Sequence, residues 1–153
     1  MTADPLVIEF EVRVAPAHAF DVWTRRCATW WPRSHTMSGA PSAISFEPRS
    51  GGRIVEHAPG GDHEWGEVLD WEPPRRLRCI WHPFFDRSEA TELDVTFRAV
   101  ATGTAVRLEQ RGWERLGEAA APRRARTEGA WSVVTGAFAS ACEATAPASD
   151  RSP

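Results

Sequence analysis

One change of rhythm constrains this chain more than any other feature. Short stretches of alternating polarity run as far as Trp113, and from Pro122 to Thr145 the apolar period lengthens from about 2 to about 3.6. Leu6 to Val14 sets Ile8, Phe10, Val12 and Val14 against Glu9, Glu11 and Arg13, the pattern of a half-buried strand. Pro16 suits the first turn of a helix carrying Ala19, Phe20 and Trp23, and a second short helix over Cys27 to Trp31 is stopped by Pro32. Six further strands are expected at Ala43–Glu47, Arg53–His57, Glu64–Trp71, Leu77–His82, Thr91–Val100 and Thr104–Trp113. Trp131, Val134, Phe138 and Cys142 give the terminal helix one apolar face. A sheet with one apolar face must bury it, and only that helix is long enough to serve. The expected fold is therefore α+β: a curved antiparallel sheet of about seven strands around a long C-terminal helix, with two short helices after the first strand. Such bent sheets leave mouth-like cavities in which small molecules bind.

The chain of 153 residues has the size of one domain, and no change of composition marks a second. Residues 1–153 are read as a single domain with a polar tail over about 147–153. No apolar run reaches the roughly 20 residues needed to span a bilayer, so no membrane association is expected. Met1-Thr2-Ala3-Asp4-Pro5 lacks the basic start and apolar run of a signal peptide, and the expected location is cytoplasmic. All 18 basic residues are arginine, scattered among acids, with a net charge of −3. The concentrated basic face that nucleic acid demands is missing, so nucleic acid is not an expected partner. Cys27, Cys79 and Cys142 form no C-x-x-C pair and read as small buried hydrophobes. His63-Glu64-Trp65-Gly66-Glu67 starts like a zinc-protease motif, but its fifth residue is Glu67 and it lies on an expected strand. No metal is expected. Phosphate-binding and dinucleotide loops are lacking, so neither is a cofactor.

Five pieces recur in order: Trp30-Trp31-Pro32; Glu47-Pro48-Arg49 with Gly51-Gly52-Arg53; Trp65-Gly66-Glu67-Val68; Trp71-Glu72-Pro73-Pro74-Arg75-Arg76-Leu77; and Glu128-Gly129-Ala130-Trp131. Together they resemble the homologue family of the activator of heat-shock protein 90 ATPase, within the START-like or SRPBCC superfamily. The resemblance runs from about Leu6 to Ala144. It implies a helix-grip fold with a hydrophobic cavity between the sheet and the terminal helix. Relatives bind lipids, hormones or polyketides, and a minority catalyse cyclisation or dehydration. The eukaryotic activator carries a separate chaperone-binding domain for which this chain has no room, so chaperone binding is not expected.

Eight tryptophans are either core anchors or the walls of an aromatic pocket. Trp23 reads as core, and Trp71, beside Pro73-Pro74, as a cap on the sheet edge. Trp30, Trp31, Trp81 and Trp131 fall where the short helices, a mid-sheet strand and the terminal helix converge, and are expected to line the cavity. Phe97, Val134 and Phe138 complete its apolar wall. Gln110 interrupts the apolar side Val106-Leu108, either hydrogen-bonded within the core or as a polar contact for a ligand. His35, in the loop after Trp31-Pro32-Arg33, sits at the expected mouth, as a loop cap or a lining residue. Gly129 and Gly136 allow either close helix–sheet packing or extra ligand volume. Pro83-Phe84-Phe85 forms an apolar loop, either a lid or an edge packed on the core.

The leading expectation is a module that holds a small hydrophobic or aromatic molecule, with no catalytic residues assigned. One alternative is a cyclase or dehydratase using the same cavity, for which His35 would need Glu67 or Glu109 beside it. The other is a protein-interaction module, for a chaperone or a second copy as a homodimer.

Overall fold

The computed structural model of the protein describes residues 4–147. Seven strands form one antiparallel sheet: β1 (Leu6–Val12), β2 (Ala43–Phe46), β3 (Arg53–His57), β4 (His63–Glu72), β5 (Arg76–Trp81), β6 (Thr91–Val100) and β7 (Gly103–Arg111). Their order across the sheet is β1-β7-β6-β5-β4-β3-β2, a meander closed by the first strand against the last. The helices are α1 (Pro16–Trp23), α2 (Cys27–Trp30) and α3 (Ala120–Ala144). The polar tail expected beyond Pro147 falls, from residue 148 onwards, outside the described residues.

Alternation in β6 and β7 works as the residue pattern suggests. Leu93, Val95 and Phe97 are buried, as are Val106, Leu108 and Gln110, while Arg107 is exposed. The expected last strand ran to Trp113, but β7 stops at Arg111. Gly112, at φ 94, turns the chain into a 3₁₀ segment over Trp113–Ala119. α3 buries Arg123, Trp131, Val134, Thr135, Phe138 and Cys142, a stripe at three- and four-residue spacing. Gly129 and Gly136 lie on the opposite, exposed side, and a Cβ added to either would touch nothing within 4 Å. They therefore serve neither close packing nor ligand volume.

Strand β4 departs from simple alternation twice. Ile54 faces Gly66 and Val55 faces Glu64, so Trp65 has no cross-strand partner on β3. Val68 faces Cys79 and Asp70 faces Arg78, which leaves Leu69 unpaired on β5. Each extra residue reverses the alternation after it. The first bulge brings Trp65 inward beside Gly66, and the second turns Trp71 inward opposite Leu77. Trp71 is accordingly no edge cap; its ring packs edge-on against Phe20 of α1 at 5.1 Å. Gly66 is required at the first bulge, because a Cβ there would stand 1.9 Å from the Ile80 carbonyl oxygen.

Behind Trp65 lies Glu56, a buried carboxylate on β3. Oε1 accepts from Met37 N and Trp65 Nε1, at 2.8 and 3.0 Å. Oε2 accepts from Ser38 N at 2.8 Å and from the Ser38 hydroxyl. Burial pushes this carboxyl up, but the donors from Ser38, Met37 and Trp65 outweigh it and hold it below the ordinary carboxylate range. The three free cysteines are buried, and desolvation raises their thiols, that of Cys142 to about 12.

Two outcomes follow from this packing. Gly66→Ala drives a methyl into the β5 backbone and should cost on the order of 3 kcal/mol in urea unfolding; an unchanged midpoint would contradict the close approach. Glu56→Gln should destabilise at neutral pH and cost progressively less in acid. The lowered folded-state pKa gives stability that is present above the unfolded value of about 4.3 and lost as pH falls through the folded value. Denaturation of both proteins at neutral pH and at about pH 3 checks the sign.

Candidate functional site

The space between sheet and α3 is filled along much of its length. Trp23, fully buried, meets Trp30, Trp31, Phe97, Trp131 and Phe138 at centroid distances of 5.0 to 6.5 Å. Phe97 and Phe138 are therefore core, and Trp30 packs on the same cluster with its indole N–H donated to the Val22 carbonyl at 2.6 Å. These three were expected on the cavity wall. They fill the hollow instead, because α1 and α2 fold across the sheet and bring their own aromatic rings into it.

What stays open is a cavity of about 120 Å³ at the N-terminal half of α3. Trp31, His35, Trp81, Gln110, Trp131 and Val134 border it, six of the residues singled out from the sequence. Pro83, Phe84, Phe85, Arg123, Thr127 and Ala130 complete the lining. An apolar cavity of about 150 Å³ holds benzene, so the volume is on the scale of one aromatic ring. A larger depression of about 870 Å³ lies across β1, β6 and β7. Charged residues such as Glu9, Arg76 and Arg107 line it, and both arginines already pair with carboxylates. It has the character of solvated surface.

Trp81 and Trp131 stack at 6.0 Å, and Trp31 meets both at 6.0 to 6.1 Å. Trp131 Nε1 donates to Gln110 Oε1 at 2.8 Å, and Gln110 Nε2 donates to Thr91 Oγ1 at 2.8 Å. Thr91 in turn donates to the Trp81 carbonyl at 3.3 Å. The amide that breaks the apolar face is thus the polar link between α3 and the sheet. Trp31 Nε1 donates to the His35 carbonyl at 3.2 Å, which fixes the mouth loop, and His35 Nδ1 lies 2.9 Å from Ser34 Oγ.

The other wall is the loop after β5. Buried His82 donates from Nδ1 to the Phe85 carbonyl at 3.1 Å, since a carbonyl can only accept. Its Nε2 lies 3.2 Å from Glu64 Oε2 but makes no hydrogen bond. Phe84 is 56% exposed with φ 73, a left-handed backbone that is costly for a bulky side chain. Phe85 turns inward beneath the Arg123 guanidinium, 3.5 Å from its ring centroid. Arg123 is buried, and desolvation lowers its pKa. In the sequence Arg123 carries no signal beyond its place among three arginines near the start of α3.

Neither carboxylate proposed beside His35 reaches the cavity. Glu67 pairs with Arg87 at 2.8 Å, and Glu109 pairs with Arg107 and Arg111, both at 2.7 Å. Glu109 neighbours inward-facing Gln110 on β7 and so points to the opposite face. Among the described residues no cluster of His, Cys, Asp or Glu could hold a metal ion, and no helix is long and apolar enough to cross a membrane.

A double-mutant cycle tests the polar link. Trp131→Phe and Gln110→Leu should each destabilise, the first by leaving the Gln110 oxygen buried and unpaired. The pair should cost about 1–2 kcal/mol less than the sum. Strict additivity would mean that the hydrogen bond contributes nothing.

Comparison with known proteins adds the chain's relatives. The comparison with curated proteins found no match. A solved protein from Mesorhizobium loti, MLL2253, is 20% identical and superposes with a TM-score of 0.71, over 94% of this chain and 100% of its own. The Aha1 dimer from Colwellia psychrerythraea is 17% identical, with a TM-score of 0.69 over 92% of this chain and 96% of its own. Both share the helix-grip architecture. An anthrahydroquino-gamma-pyrone synthase, Txn09, is 31% identical over 84% of this chain and 83% of its own, with a TM-score of 0.56. The model of the family described as Activator of Hsp90 ATPase homolog 1-like protein matches residues 13–143, and the chain belongs to that family.

Proposed function

We propose that this protein binds a small aromatic molecule in the cavity bounded by Trp31, Trp81 and Trp131. The observation that carries the reading is the geometry of those three indoles. They wall a space of about 120 Å³ that opens between the Pro83–Phe85 loop and α3. Flat rings offer a large contact area to a flat ligand, and their own N–H groups are largely engaged elsewhere, so the walls are apolar. The fold supports the reading too, since a pocket between sheet and helix is where it leaves room. The volume limits the ligand to about one ring, unless the loop carrying Phe84 moves aside.

A second reading, a cyclase or dehydratase working in the same cavity, is favoured by the 31% identity with the synthase Txn09. It would rest on His35, the one imidazole among the lining residues. Incubation with that synthase's substrate separates the two readings. The binding reading expects no product, and turnover lost in His35→Ala would favour catalysis.

Ligand binding is tested by thermal shift and tryptophan fluorescence with phenol and other single-ring compounds. At a hundredfold excess over Kd, a binder should raise Tm by about 5–10 °C. Ala130→Leu should fill the cavity and abolish that response while leaving the protein folded. Responses that are equal in both proteins would overturn the proposal.

A further inference from the structure

Arg123 is the one arginine among the described residues that is buried, and it is also without a carboxylate. Several less buried arginines on the outer face of the sheet are paired: Arg76 with Asp94, Arg78 with Asp70 and Glu92, and Arg107 and Arg111 with Glu109. Arg123 instead donates Nη1 to the Glu89 backbone carbonyl at 2.8 Å, a neutral partner. The Glu89 carboxylate attracts it only from beyond ion-pair distance, and Arg126 repels it. A guanidinium stays protonated in a protein, so burial leaves a cation that only a nearby anion can neutralise.

The geometry shows where such an anion would sit. The stack on Phe85 uses the flat face of the guanidinium and leaves its donors in the plane of the group. One of the five N–H groups is taken by Glu89, and Arg123 and Phe85 both border the aromatic cavity. Gln110, across the same cavity, has committed one amide N–H to Thr91 and retains the other. We infer that the cavity takes an aromatic anion, a ring carrying a carboxylate or comparable acidic group, with the ring between the indoles and the charge on Arg123. This rests on the binding reading above and narrows it: a purely hydrocarbon ligand would leave the guanidinium uncompensated.

Benzoate and benzamide, which share a ring and a shape but differ in charge, provide the test. Titration at neutral pH, followed by calorimetry and tryptophan fluorescence, should show benzoate binding about tenfold or more tightly. Arg123→Gln removes the positive charge while keeping a polar, though shorter, side chain, and should bring the two affinities together by weakening benzoate alone. Equal affinities in the parent protein, or a benzoate preference that survives in Arg123→Gln, would overturn the inference while leaving aromatic binding in place. Failure of both compounds and of phenol to bind would remove the binding reading itself. The parent protein's preference is decisive even if the variant does not fold, because Arg123 also tethers the loop through Glu89 and Phe85.

Discussion

Packing so many indoles under one helix creates a demand that shapes the rest of the molecule: a buried ring carries an N–H that must find its partner within the protein. Trp30 and Trp113 donate to the carbonyls of Val22 and Gln110, and Trp31 to that of His35. Trp65 and Trp131 are satisfied by side chains, Glu56 and Gln110. Two buried polar side chains of the core, Glu56 and Gln110, are therefore partners of its tryptophans. Trp23 is a fully buried donor with no partner among the described residues, at a cost of about 1–3 kcal/mol. Its contacts with five aromatic side chains offset that cost.

The same demand links stability to the site. Gln110 holds Trp131 in place from the sheet, Trp131 stacks on Trp81, and the Trp81 carbonyl accepts from the Thr91 that Gln110 also engages. The cavity thus has walls held by a chain of hydrogen bonds that a ring stack closes. Opposite them stands a loop tied down by His82 and Arg123, with Phe84 exposed at its tip.

Much of this arrangement was legible in the residues. Alternation located the inward faces of β6 and β7, and the long period of α3 marked Trp131, Val134, Phe138 and Cys142 as its buried stripe. Gln110 was visible because an amide interrupts an apolar face, although its partners are side chains on β6 and α3. Trp30, Phe97 and Phe138 were misplaced for one reason: composition shows that aromatic side chains converge, but their volumes decide which fill the hollow. Glu56 and Arg123 gave no local signal, since an isolated charged residue on a strand or helix reads as surface.

The sequence by itself determined the order of the main elements, the inward faces of β6, β7 and α3, and the single long helix that must cover the sheet, because periodicity depends on neighbours along the chain. Tertiary structure alone decided the two bulges of β4, which bring Trp65 and Trp71 inward against their simple alternation. It also decided that Arg123 lies beneath the surface on Phe85 and away from any carboxylate. These features depend on residues brought together from distant parts of the chain, where available volume and hydrogen-bond partners exist only once the fold has closed.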